Sequence, residues 1–296
     1  GRQRQGINSD LLATVVVVFA VTAIVVVFGV VPALITGMSL SLVIFIRDSS
    51  KNIVRRTITG THLRSRTARP SAHQAALSRF ADRIVLVQVQ GAIFFGSVEQ
   101  LTDHLERATT GCQMLVLDLK RVDNIDGSGV VALSQLNKAL QRSHCTLLLA
   151  YVAENSPIRK SLENLGGAGL IADGRCFDDT DSAVMHAEQL LLREAGFKLD
   201  DETEYPLEAF DILKGFTPEE RTQLEVLLHR EEFEANTAIV REGDDSDFLY
   251  LLAAGRASVS RQIEGRVLRF SSFGPGVSFG DVGMLTGRPR GADVIA

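Results

Sequence analysis

Tryptophan is absent from this sequence, and cysteine is held to three residues, Cys112, Cys145 and Cys176. An odd count without C-x-x-C spacing excludes a disulfide framework and a zinc site of the common kind, and fits a reducing compartment. Catalytic patterning is also missing. The six histidines are scattered, no nucleophile sits beside a base, and no His, Cys, Asp and Glu cluster has metal-ligand spacing, so the chain reads as non-enzymatic and metal-free. The largest absence is local. Residues 11–46 carry no ionisable side chain, with Asp10 and Arg47 as the nearest charges.

A bilayer core takes about 20 apolar residues per helical crossing, so this run is too long for one ordinary span. Gly29, Pro32 and Gly37 fall near its middle and predict a turn there. Two short helices, 11–28 and 33–46, result; at the helical rise they reach roughly 27 and 21 Å. Arg2 and Arg4 precede the run, and Arg47, Lys51, Arg55, Arg56, Arg64, Arg66 and Arg69 follow it. Positive charge on both sides places both ends in the cytoplasm, which requires an even number of crossings. One long tilted span is the alternative. A signal peptide is excluded, because its apolar core is only about 7–15 residues and ends at a small-residue cleavage site.

The rest of the chain, about 250 residues, suffices for two ordinary domains. Net charge is −5 and segregated: the stretch after the apolar run is basic and faces anionic lipid rather than nucleic acid, while 200–247 is rich in Asp and Glu. From about residue 83, strands and helices alternate. IVLVQVQG (84–91), MLVLDL (114–119) and TLLLAYVA (146–153) read as strands; 97–108, 130–143, 156–166 and 181–196 read as helices, with Val131, Leu133, Leu136 and Leu140 suiting the second. That alternation predicts a small α/β domain. After an acidic connector, Thr217-Pro218-Glu219-Glu220 has the form of a capping box with Pro at the first helical position. Short strands separated by Gly243, Gly255, Gly274, Gly276 and Gly280 then predict an antiparallel roll.

Two loops carry chemistry. In Asp126-Gly127-Ser128-Gly129 a strand gives way to a helix, so Ser128 is either an N-cap or a phosphorylation site at a helix mouth that favours negative charge. In 279–292, Gly280 and Gly283 let backbone N–H groups approach an anion, Arg290 can grip phosphate oxygens, and Asp281 can accept a sugar hydroxyl. The plain alternative is a β-turn with a solvated arginine.

The FFGS at 94–97, the LVLDLKRVDNIDGSG at 115–129 and the preceding apolar run resemble the carboxy-terminal part of SulP anion transporters. Those proteins end in short transmembrane helices followed by a STAS domain, the fold of bacterial anti-sigma-factor antagonists. By that resemblance Ser128 falls on the antagonists' phosphorylated serine, while Gly127 stands where they often have a second hydroxyl. The region from Phe210 onward resembles a cyclic-nucleotide-binding domain, through EGD (242–244), LYLLAAGRASVS and the cassette. It implies cAMP or cGMP as a regulatory ligand held by Gly280, Asp281, Val282, Gly283, Arg290, Gly291 and Ala292. Asp281 is shorter than the family's Glu, and Gly291 stands where Ser, Thr or Ala is usual.

The expected organisation is a transmembrane α-helical hairpin (1–48), a juxtamembrane linker (49–80), an α/β STAS domain (81–196), an acidic linker (197–207) and an incomplete, mainly-β jelly-roll domain of cyclic-nucleotide-binding type (208–296). The resemblance implies a piece of a plasma-membrane secondary anion transporter. Its lipid-embedded transport site for sulfate or bicarbonate lies upstream, it forms a homodimer, and its two domains are cytoplasmic. The alternative is a membrane-tethered signalling protein without transport.

Overall fold

The computed structural model describes residues 21–27, 29–49, 53–108, 111–171, 174–199, 204–263 and 266–296. The chain divides into two compact units, Gly1–Ile53 and Val54–Ala296.

In the first unit, residues 21–27 are helical and α1 runs over Val30–Ser49. Between them Gly29 takes a left-handed conformation, φ 88°, and its N–H closes on Val25 O at 3.0 Å. Among the described residues of the run, only Gly29 lies outside a helix. Pro32 lies in the first turn of α1, where a missing N–H costs nothing, and Gly37 lies inside the helix. A Cβ on Gly37 would stand 3.4 Å from Val21 Cγ2, so the two helical stretches pack closely there. Ala33 is buried, while Val26, Val27, Val30, Val31, Leu34, Ile35, Met38 and Leu42 are all exposed. Among the described residues no helix is long and apolar enough to cross a membrane. The uncharged part of α1 ends at Ile46, short of the ~20 residues a crossing needs, and is diluted by Pro32, Thr36, Gly37, Ser39 and Ser41. The described helices therefore do not support the expected transmembrane hairpin; most of its first arm, 11–28, lies outside the described residues.

The second unit opens with β1 (Val54–Thr59), β2 (Thr67–Ala68) and α2 (Ser71–Arg79). It continues with β3 (Ile84–Ile93), α3 (Phe95–Ala108), β4 (Met114–Ile125), α4 (Gly127–Arg142), β5 (Thr146–Ala150), α5 (Pro157–Asn164), α6 (Ala168–Ile171), β6 (Cys176–Phe177) and α7 (Thr180–Glu194). A five-stranded sheet has the order β1-β3-β4-β5-β6. β3 to β6 are parallel and β1 is antiparallel to β3, with Ile84 opposite Met114 and Met114 opposite Thr146. Continuous apolar runs suit strands covered on both faces. Leu86, Val116 and Leu148 meet Ala183, Val184, Ala187 and Leu191 of α7 and Leu77 of α2. By the period of two, Val85, Val87, Leu115 and Leu117 point the other way, also fully buried. On α4 the buried residues include Val130, Leu133, Leu136 and Leu140, whereas Val131 is 56% exposed.

The rest comprises α8 (Pro218–Leu227), β7 (Ala238–Val240), β8 (Tyr250–Leu252), β9 (Ala257–Ile263), β10 (Arg266–Phe273), β11 (Val277–Phe279), α9 (Asp281–Thr286) and β12 (Asp293–Ile295). The capping box forms as expected: Glu220 N donates to Thr217 Oγ1 and Thr217 N to Glu220 Oε2. One sheet has the order β2-β10-β9-β12-β7 and a second pairs β11 with β8. The core is small, with Val240, Ala257, Phe279 and Val294 buried and the Phe279 ring stacked between Tyr250 and Phe273.

The stretch expected as a linker, 49–80, is largely built structure. β1 edges the α/β sheet, whereas β2 pairs in parallel with β10 of the roll. Residues 65–71 are held from both sides. From α7, Glu188 accepts Ser65 N at 3.0 Å and Asp181 accepts Arg66 N at 2.7 Å. From the roll, Ser271 Oγ donates to Arg66 O at 2.6 Å and Thr67 Oγ1 meets Ser272 Oγ at 3.0 Å. Asp211 then accepts both the N–H and the hydroxyl of Ser71. Arg69, expected among charges facing lipid, is buried against Glu188, because that carboxylate compensates its burial.

Candidate functional site

The first site lies at the carboxyl end of β4, where the starts of α3 and α4 converge. Asp126, not Ser128, is the N-cap: its Oδ1 accepts Gly129 N at 2.7 Å. Ser128 stands one residue inside α4, exposed, and donates its hydroxyl to the same Oδ1 at 2.7 Å. Its oxygen in turn accepts Phe95 N from the first turn of α3, at 3.1 Å. One hydroxyl thus ties two helix starts to one carboxylate. These bonds, the Ser128 hydroxyl first, hold the Asp126 carboxyl below its ordinary range. Gly129 is required here, since a Cβ would collide with the carbonyl oxygen of Ile93. The FFGS motif secures the facing turn: buried Ser97 accepts Phe94 N at 2.9 Å and donates toward Ala92 O and Phe94 O. A phosphate on Ser128 would meet two positive helix ends, but also the Asp126 carboxylate, whose cap it would strain.

The second site is the loop around α9. Gly280 is left-handed, φ 92°, and brings its carbonyl to Arg290. Arg290 is turned inward, 6% exposed: Nη1 donates to Gly280 O at 2.9 Å and Nη2 to Phe248 O at 2.6 Å, while buried Nε has no partner. Its guanidinium carbon lies 5.7 Å from the Tyr250 ring centre, within cation–π reach. A Cβ on Gly280 would collide with Nη1, and one on Gly283 with Ser246, whose buried hydroxyl also lacks a partner. Both glycines thus leave room for close side chains. The structure brings Gly280 and Arg290 together. Asp281 and Val282 are exposed, Gly291 is exposed with open space where a Cβ would stand, and Ala292 is half-buried. In the EGD turn, Glu242 pairs with Arg261, and Asp244 accepts Arg241 N through its carboxylate and Arg290 N through its carbonyl.

Sequence reasoning missed the capping role of Asp126, although an Asp two residues before the serine was in view. It also missed Ser246 and the Phe248 carbonyl, which only tertiary packing brings to the loop.

Two family profiles match: STAS domain over residues 76–183 and cyclic nucleotide-binding domain over 230–296. The chain therefore contains both domains. It is 27% identical to Glutaminase 2 of Bradyrhizobium diazoefficiens over 78% of this chain and 36% of that protein. It is 24% identical to the vacuolar basic amino acid transporter VSB1 of Saccharomyces cerevisiae over 62% of this chain and 18% of that protein. The chain thus spans well under half of either relative. Among solved structures, a sulfate transporter family protein from Wolinella succinogenes aligns with 25% identity and a TM-score of 0.32, covering 36% of this chain and 86% of that one.

Proposed function

We propose that this chain is the membrane-attached regulatory part of a SulP-type secondary anion transporter, with sulfate as the anion and with the STAS and nucleotide-binding domains in the cytoplasm. The observation that carries the reading is the order of parts. A segment whose helical stretches expose Val25, Val26, Val27, Val30, Val31, Leu34, Ile35, Met38 and Leu42 precedes, in the chain, β1, the edge strand of the STAS-domain sheet. An exposed apolar surface of that extent calls for lipid or other helices around it. The similarity to a protein named as a vacuolar transporter is consistent with this.

In this reading the chain itself is not a catalyst. Cyclic AMP or GMP enters the roll, Arg290 releases the Gly280 and Phe248 carbonyls to take the cyclic phosphate, and residues 65–71 pass the change to the STAS domain. Two copies associate in the membrane. Phosphate on Ser128 is a second input.

The test is uptake of labelled sulfate by cells that lack their own sulfate carriers and express the complete gene product, with and without added cyclic nucleotide. Nucleotide-sensitive sulfate uptake is expected. A membrane-located product that moves neither sulfate nor bicarbonate would overturn the transport reading. The Glutaminase 2 similarity, over 78% of this chain, favours a second reading in which the same two domains regulate a different partner unit; assaying glutamine hydrolysis in the same cells distinguishes the two.

A further inference from the structure

Cys112 and Cys145 approach the sheet from neighbouring positions, one two residues before β4 and the other directly before β5. They lie at the amino end of these strands, away from the Ser128 loop. Their Sγ atoms are 3.5 Å apart, and both residues are buried, at 5% and 3% exposure. The backbone fixes their positions: Thr146 N donates to Gln113 O at 2.7 Å, Gln113 N to Arg83 O at 2.9 Å and Cys145 N to Leu140 O at 2.8 Å. A cavity of about 510 Å³ opens beside the pair between α3 and α4, lined by Thr102, Leu105, Leu136, Leu140 and His144 as well as the two cysteines. Two thiols in contact at the wall of a cavity have access that an ordinary packed cysteine lacks.

We propose that Cys112 and Cys145 form a reversible oxidation site, converted to a disulfide by a small hydroperoxide that enters this cavity. The Cys112 thiolate attacks one peroxide oxygen, the O–O bond breaks, and Cys112 becomes a sulfenic acid as the leaving oxygen takes up a proton. Cys145 then loses its proton and attacks the Cys112 sulfur, expelling the sulfenic oxygen as water. With hydrogen peroxide, two thiols and one peroxide give one disulfide and two waters. The sulfurs must close by about 1.5 Å to reach a bond of ~2.05 Å. Either thiol can open the sequence, because either can donate in the contact between them; the steps above begin at Cys112. The hydrogen bond between the two sulfurs lowers the Cys112 pKa, whereas the same contact and burial push Cys145 up. Thiolate character selects which sulfur oxidises first.

The experiment treats the folded, full-length chain with stoichiometric hydrogen peroxide, blocks free thiols under denaturing conditions and maps tryptic peptides without reduction. The expected product joins peptides 108–120 and 143–159 with loss of two hydrogen atoms, reverts with dithiothreitol and persists in Cys176→Ala. In Cys145→Ser, a sulfenic-acid trap should label Cys112 instead. Free, alkylated Cys112 and Cys145 after peroxide treatment, or a link through Cys176, would overturn the proposal. The map of the unsubstituted chain decides the matter even if a variant fails to fold.

Discussion

Arg69 and Glu188 form a buried ion pair between residues 119 positions apart: Arg69 Nε donates to Glu188 Oε2 at 3.3 Å, and Nη2 makes ionic contact with the same oxygen at 3.2 Å. Ser65 adds its N–H and hydroxyl to that carboxylate. Burial lowers the Arg69 pKa, and Glu188 offsets part of that effect. The pair holds residues 65–71 on α7 while β2 lies in the roll.

Breaking the pair from one side should be costly. Glu188→Ala leaves a buried guanidinium without its partner, and a loss of about 3–5 kcal/mol is expected in denaturant unfolding. Arg69→Met combined with Glu188→Leu should recover most of it. A double-variant loss equal to the sum of the Glu188→Leu and Arg69→Met losses would show that the charges are not coupled.

Asp126 and Ser128 should separate in a stability series. Asp126→Ala removes the cap and should cost about 0.5–2 kcal/mol, and Ser128→Ala about 0.5–1.5 kcal/mol for its bonds. Because the folded Asp126 pKa is depressed, its contribution is present above the ordinary Asp pKa and is lost as pH falls through the lowered value. Thermal melts between pH 5 and pH 2 on wild type and Asp126→Asn should therefore converge toward the acid end.

His73 supplies an acid-sensitive contact. It is 2% exposed, set edge-on to Phe197 and Tyr205, with Nε2 unpartnered. Burial first and then Arg69 depress its pKa to about 4. The unfolded chain binds this proton more readily, so the stability is full above about pH 6.5 and falls as pH drops toward 4, at up to about 1.4 kcal/mol per pH unit. His73→Phe should flatten that part of the profile; an unchanged slope would assign it to other groups.

Arg290→Ala should abolish cyclic nucleotide binding in calorimetry. Two charge-assisted bonds at about 1.5–3 kcal/mol each imply a loss of two decades or more. It also orphans the carbonyls of Gly280 and Phe248, so folding must be checked by circular dichroism. Arg290→Lys keeps charge without the fork and should bind weakly. Wild-type protein that is folded and gives no heat with cAMP or cGMP would leave Arg290 a structural residue.

The sequence made the centre of the α/β domain legible, because MLVLDL and TLLLA are buried on both faces and their helices carry a clear 3.6 period. It hid the edges. VRRTIT pairs Val54 and Ile58 with exposed arginines and looks like a basic linker, and β2 is two residues long with its partner some 200 positions later. Such pairing leaves no local signal. Arg69 reads as part of a lipid-facing basic stretch and Arg290 as a phosphate grip, so neither is expected to be buried on protein partners; Glu188 and two backbone carbonyls make that burial tolerable. Asp281 was legible by position but lies on the exposed side of α9.

β2 also determines how this protein can be divided. A fragment starting at residue 208 would retain every strand of the roll except the one that covers β10. Its outermost strand would then offer bare N–H and C=O groups to any neighbour, the arrangement that promotes edge-to-edge association. The two domains are therefore better treated as one cooperative body, and a cut at the acidic connector should give an aggregating roll where a cut before residue 54 should not.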